Sequence, residues 1–220
     1  YLRELHGRHG DWLAGALAGP DEAMGALLAG IAAAAQRAGD DDASVGDALR
    51  RAKGEVALLA AAAETSGAWT TAQATAALSD LADAALDAGL AALLARAVAK
   101  GDLHPTSAAT CGLTIFALGK HGGRELNYSS DIDIVAFFDP QVGVVVDEME
   151  ATRVYSRIVQ RLAALLQDRV GNDYVFRTDL RLRPDPGSTP VALSIDAALA
   201  YYESRGQNWE RAAWIKARPC

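Results

Sequence analysis

Gly119-Lys120-His121-Gly122-Gly123-Arg124-Glu125-Leu126-Asn127-Tyr128-Ser129-Ser130-Asp131-Ile132-Asp133 is the stretch whose reading decides the fold. Leu113 to Ala117 precede it and Ile134 to Phe138 follow it, and both runs are apolar and rich in β-formers. Two buried strands joined through a glycine-rich turn are therefore expected. Asp131 and Asp133 open the second strand at i and i+2, so alternation along a strand puts both carboxylates on one face. Two adjacent acids repel each other unless a cation lies between them, and a hard divalent ion such as Mg²⁺ suits oxygen ligands. Gly119, Gly122 and Gly123 let the backbone approach a ligand and present N–H groups to an anion. Ser129 and Ser130 add hydroxyl donors. An anion cradle beside an acid pair is the usual construction for phosphate chemistry.

A second charged stretch lies downstream, Tyr174-Val175-Phe176-Arg177-Thr178-Asp179-Leu180-Arg181-Leu182-Arg183-Pro184. Read as one strand, it places Val175, Arg177, Asp179, Arg181 and Arg183 on a single side. Such a face makes a poor core and fits either a solvated edge or a phosphate site. In the second case Asp179 is the third carboxylate, and Arg181 and Arg183 are bidentate phosphate ligands.

The order of strand, Gly-Gly turn, Ser-Asp-x-Asp and strand resembles the nucleotidyltransferase fold of the DNA polymerase beta type. More narrowly, Gly119 to Asp133, Asp179 to Pro184, and Trp209, Glu210, Lys216, Ala217 and Arg218 resemble the glutamine synthetase adenylyltransferase family. That family comprises large bacterial enzymes with two such domains, one attaching AMP to a tyrosine of glutamine synthetase and one removing it. His121 departs from the leucine expected after the lysine. Asp185-Pro186-Gly187-Ser188-Thr189-Pro190 departs from the expected Gly-x-x-Gly turn.

The resemblance implies an α/β (α+β) domain with Asp131, Asp133 and Asp179 as ligands of Mg²⁺, two ions being possible. It implies that Gly122, Gly123, Ser129 and Ser130 hold phosphate oxygens, and that Arg181 and Arg183 offset their charge. Lys120 acts from the turn, and Lys216 and Arg218 line the nucleotide site. Asn127 to Asp133 and Trp209 to Arg218 look like the N-terminal copy, which is the adenylyl-removing one. Its implied reaction is phosphorolysis, in which inorganic phosphate and AMP-tyrosine give ADP and free tyrosine. The adenylyl-attaching domain, which uses ATP, and a non-catalytic regulatory module are the alternatives. Glutamine synthetase is the implied partner, with a PII-type nitrogen signal protein as a second.

The rest of the chain frames this reading. It has 220 residues, 50% hydrophobic and 22% charged, with a formal net charge of -7. Those values suit a soluble protein with a substantial core and argue against non-specific nucleic-acid binding. No apolar run reaches membrane-spanning length. Two distant cysteines, Cys111 and Cys220, without a CxxC pattern read as reduced thiols in a cytoplasmic protein.

Residues 1–104 are Ala- and Leu-rich with helical spacing and read as an all-helical segment, broken at Gly19-Pro20-Asp21, where Asp21 can cap the next helix. Further helices are expected over about 45–65 and 71–100, and a later one over 147–167 whose Arg153, Arg157 and Arg161 face solvent. Residues 105–220 read as the nucleotidyltransferase domain. A start at Tyr1 and a stop at Cys220, directly after a motif, read as a fragment with the domain cut at its C-terminal end.

Overall fold

The computed structural model describes residues 2–171 and 173–220. Four helices lead: α1 (Leu2–Ala16), α2 (Pro20–Ala38), α3 (Asp42–Ser66) and α4 (Thr71–Ala99). Their boundaries follow local chemistry. Pro20 opens α2, where a missing N–H costs nothing. Asp41 caps α3 by accepting from Ala43 and Ser44, and left-handed Gly67 ends it. Thr70 and Gln73 form a reciprocal capping box on α4. Asp21 does not cap α2; it lies in the first turn and accepts a 2.9 Å hydrogen bond from the Trp69 indole.

The second half is built on a small mixed sheet. Strand β1 (Leu113–Leu118) leads into the four-residue helix α5 (Gly119–Gly122), and β2 (Ile132–Phe138) runs back antiparallel to β1, with Leu118 opposite Asp133. Helix α6 (Ala151–Gln167) follows, then β3 (Thr178–Asp179) and β4 (Ala192–Ser194), both parallel to β2 on its free edge. Helices α7 (Ile195–Ser204) and α8 (Asn208–Ala213) lead to β5 (Arg218–Pro219), antiparallel to β1. The fold is α+β.

Both faces of β2 are covered, which explains its unbroken apolar run. Ile132, Ile134, Ala136 and Phe138 enter one large core that continues through α4, α3 and α6. Val135 and Phe137 face the other way, into a smaller cluster with Leu193, Tyr202 and Trp214. The helical segment and the sheet thus share a core, and polar contacts reinforce the seam. Buried Asp42, near the start of α3, accepts from Arg96 of α4 at 2.6 Å and from Arg161 of α6 at 2.9 Å. The three arginines of α6 are exposed as expected, but only Arg153 pairs locally, with Glu150. Arg157 reaches Asp102 and Arg161 joins the seam.

The expected strand over 174–183 is reduced to Thr178–Asp179. Val175 and Phe176 are consecutive and both buried, so the alternating pattern breaks before it begins. Beyond Asp179 the chain turns, and Pro184, Pro186 and Pro190 leave no continuous run of ladder donors.

Candidate active site

Asp133, on β2, is the central residue of the site. It shares a sheet face with Val135 and Phe137 and lies in parallel register with Asp179 of β3. Asp131 stands two residues before it, so all three acids gather at the leading end of β2 and its neighbour. Two of them are matched by arginines. Arg177 bonds Asp131 and also donates to the Ser129 carbonyl at 2.9 Å. Arg181 grips Asp179 with contacts of 2.6–3.0 Å from Nε and Nη2, plus its own backbone N–H at 2.8 Å. That bonding holds the Asp179 carboxyl below the usual range. Asp133 has no such partner: burial, then the charges of Asp179 and Asp131, push its pKa upward. The residues hold a surplus of negative charge.

The turn is arranged around that surplus. Gly119 adopts a left-handed conformation (φ 55°), and a Cβ there would stand 2.5 Å from the Asp133 carboxylate. It is the glycine that lets the turn pass over the acid. Gly122 and Gly123 have other tasks, which corrects the expectation of a glycine phosphate cradle. The site of a Gly122 Cβ is filled by the carbonyl oxygens of Lys216 and Ala117, and that of Gly123 by the Lys216 and Glu125 side chains. The Gly123 N–H is spent on the Gly119 carbonyl. These glycines allow close packing against residues 214–216.

Four further candidates are also redirected. The Arg183 guanidinium donates to the carbonyls of Leu180, Pro186, Thr189 and Pro190 at 2.7–3.2 Å, so it staples the loop that carries Asp179 and is committed before any phosphate arrives. Lys216 pairs with Glu125 at 2.7 Å. Arg218 reaches Asp83 of α4 at 2.8 Å. The Ser130 hydroxyl accepts from the Asn127 N–H and closes the loop before Asp131. Ser129 and Lys120 are exposed and stay available, whereas Arg181, its side chain 83% exposed, is paired with Asp179.

Sequence reasoning missed Asp83 and His121. His121, fully buried on α5, bonds Asp83 through Nε2 at 2.8 Å, and Asp83 also receives Arg218. Burial alone would raise the Asp83 carboxyl, but bonds from His121 and Arg218 hold it below its ordinary value. This trio ties the helical segment to the turn over Asp133. Asp83 is one of three acids in α4, with Asp80 and Asp87, so residue type alone did not single it out.

The donor set of Asp131, Asp133 and Asp179 is chemically right for a hard divalent cation. Among the described residues, however, no three His, Cys, Asp or Glu side chains converge on a metal position. Asp131 and Asp179 are turned onto their arginines, so loading a cation requires those two pairs to open.

Among the described residues no helix is long and apolar enough to cross a membrane. A family model described as glutamate-ammonia ligase adenylyltransferase matches residues 11–220. Three curated proteins, each named bifunctional glutamine synthetase adenylyltransferase/adenylyl-removing enzyme, are similar to the chain. That of Xanthobacter autotrophicus is 52% identical over 204 residues, covering 91% of this chain and 20% of the relative. That of Rhizobium meliloti is 50% identical over 184 residues, or 81% and 18%. That of Brucella suis is 45% identical over 204 residues, or 91% and 21%. The chain thus spans about a fifth of the length of these relatives. With the match extending across both its helical half and its acid-bearing sheet, this chain belongs to the glutamate-ammonia ligase adenylyltransferase family.

Proposed function

We propose that residues 105–220 form a nucleotidyltransferase domain of the DNA polymerase beta type, set on the helical segment 1–104, and that it removes AMP from glutamine synthetase by phosphorolysis. The observation that supports this reading best is the register of Asp133 with Asp179, which stacks a third acid beside the Asp131/Asp133 pair. The names of the relatives cover both removal and attachment. The wording of residues 127–133 and 209–218 favours removal.

In the proposed reaction an oxygen of inorganic phosphate bonds to the phosphorus of the AMP–tyrosine ester. The bond from that phosphorus to the tyrosine oxygen breaks, the tyrosine oxygen takes up a proton, and ADP leaves. Asp131, Asp133 and Asp179 would hold Mg²⁺, which supplies charge neutralisation and clamps nucleophile and leaving group when bound. The chain's own residues position and screen. Arg181, exposed and bonded among the described residues to Asp179, would offer its guanidinium to a phosphate oxygen. Ser129 and Lys120 present a hydroxyl and a charge from the exposed turn. Gly119 keeps the backbone clear of Asp133 while the His121–Asp83–Arg218 trio fixes the turn from behind. A PII-type signal protein is the proposed regulator.

The test mixes the chain with AMP-modified glutamine synthetase, phosphate and Mg²⁺ and assays ADP. Formation of ADP is expected. Pyrophosphate release from ATP with unmodified glutamine synthetase, without ADP in the first mixture, would instead assign the attaching reaction.

A further inference from the structure

A cleft of about 420 Å³ lies beside the Ser129 loop, with Tyr128 and Ser129 on its wall, between α1, α3 and the segment that carries Val170, Asp173 and Tyr174. Its walls are strongly charged. Arg8 is matched by Asp173 and Glu4, and Arg50 by Asp47. Arg51 and Lys53 are different: among the described residues neither is in an ion pair. The Lys53 ammonium is half-buried, resting 4.1 Å above the Tyr174 ring and 5.2 Å from that of Phe176. Ring faces offer an ammonium only part of what hydration gives, and Arg177 nearby adds repulsion. Burial, followed by that repulsion and partly offset by the charge of Asp173, brings the lysine pKa down to about 8.

A desolvated cation whose acid neighbour, Asp173, is already paired with Arg8 makes the wall of an open cleft receptive to an anion. The guanidinium of Arg51 and the matched Arg50 and Arg8 beside it can share oxygens of a multivalent oxyanion, since a fork of N–H donors suits that geometry. The volume falls within the range of small-molecule sites and leaves room beyond a phosphate group for an organic body. We propose that this cleft is a second ligand site, taking a small phosphate-bearing molecule, which borders the candidate active site at Ser129 but contains none of its three carboxylates.

Isothermal titration of the 220-residue chain with inorganic phosphate, in chelator so that no cation bridges phosphate to the carboxylates, tests it. One saturable site is expected. Lys53→Met should weaken it by about tenfold or more, because a charge-assisted bond is lost. Arg51→Gln, an exposed change that does not threaten folding, should weaken it severalfold. Arg181→Gln should leave it unchanged. The proposal is overturned by the absence of saturable binding to the folded chain. It is equally overturned if Arg181→Gln abolishes binding while Lys53→Met and Arg51→Gln keep it, or if succinate binds as tightly as phosphate.

Discussion

Two groups of carboxylates and guanidiniums in this molecule use the same chemistry to opposite ends. At the seam between the halves, one acid, Asp42, is shared by Arg96 and Arg161. At the leading end of β2, three acids share Arg177 and Arg181, and Asp133 is left over. In the first group the positive charges outnumber the negative and the acid is buried; burial alone would raise its pKa, but the two arginines carry it below the ordinary range. In the second the negative charges exceed the positive, and the unmatched acid is shifted upward. A clamp spends its charges on itself, whereas a site keeps some in reserve for what it binds.

The sharpest way to break this contrast is to remove the reserved charge. Asp133→Asn should lower cation-dependent turnover by about a hundredfold or more, since a charged ligand is lost. Its melting temperature in chelator should equal or slightly exceed that of the parent, because a repulsion is gone. A variant that melts early and gains nothing from Mg²⁺ would place Asp133 among structural acids.

Removing the clamp should do the reverse. Asp42→Asn gives up two charge-assisted bonds at the seam and should cost about 2–3 kcal/mol in urea unfolding, discounted for the exposure of both arginines. Cation affinity should not move. A shift in Mg²⁺ binding would mean the seam and the site are coupled.

Smaller effects separate the two arginines of the Asp179 loop. Arg183→Ala strips four carbonyls of their donor and should cost about 1–2 kcal/mol, read as a lower denaturation midpoint. Arg181→Ala removes an exposed pair and should leave the melt unchanged while weakening phosphate use. Equal destabilisation by both would erase the distinction.

The smallest effect is one of pH. A carboxyl whose folded pKa is depressed, as at Asp42, contributes stability above its unfolded value near ~3.9 and loses it as pH falls through the folded value. One whose folded pKa is raised, as at Asp133, opposes folding as pH climbs past the unfolded value. Asp42→Asn should therefore flatten the acid limb of the stability curve below about pH 4, and Asp133→Asn should lift the neutral plateau slightly. Urea midpoints across pH 2.5–7.5 check both signs, about the ordinary carboxylate value.

What could be read in advance was what depends on local pattern. The apolar runs around the glycine turn gave β1 and β2, and the i, i+2 spacing gave the shared face of Asp131 and Asp133. Ala- and Leu-rich periodicity gave the four leading helices and Gly19-Pro20-Asp21 the first break, while the N-caps Asp41 and Thr70 emerge only in the structure. The stretch 174–183 misled because alternating charge imitates a strand face. Its true organiser is Arg183, whose partners are carbonyls and leave no trace in residue type. Lys216, Arg218 and Gly122 were assigned to ligand when each serves another part of the chain. Such contacts join positions far apart in sequence, and no periodicity reports them. Lys53 was invisible for the same reason, as a helical lysine looks solvated until two rings are found beneath it.

The bond from Arg218 to Asp83 spans 135 positions, and β5 completes the sheet beside β1. During synthesis, at about 5–20 residues per second, Asp83 and His121 emerge several seconds to tens of seconds ahead of the residue that secures them. Until then the turn over Asp133 lacks its rear support, and the space that Gly122 keeps for Lys216 stands open. The helical segment and most of the sheet can condense in that interval, so the candidate site is finished only after residue 218 has emerged. A nascent chain halted short of residue 214 would carry all three acids and still lack a finished place to put them.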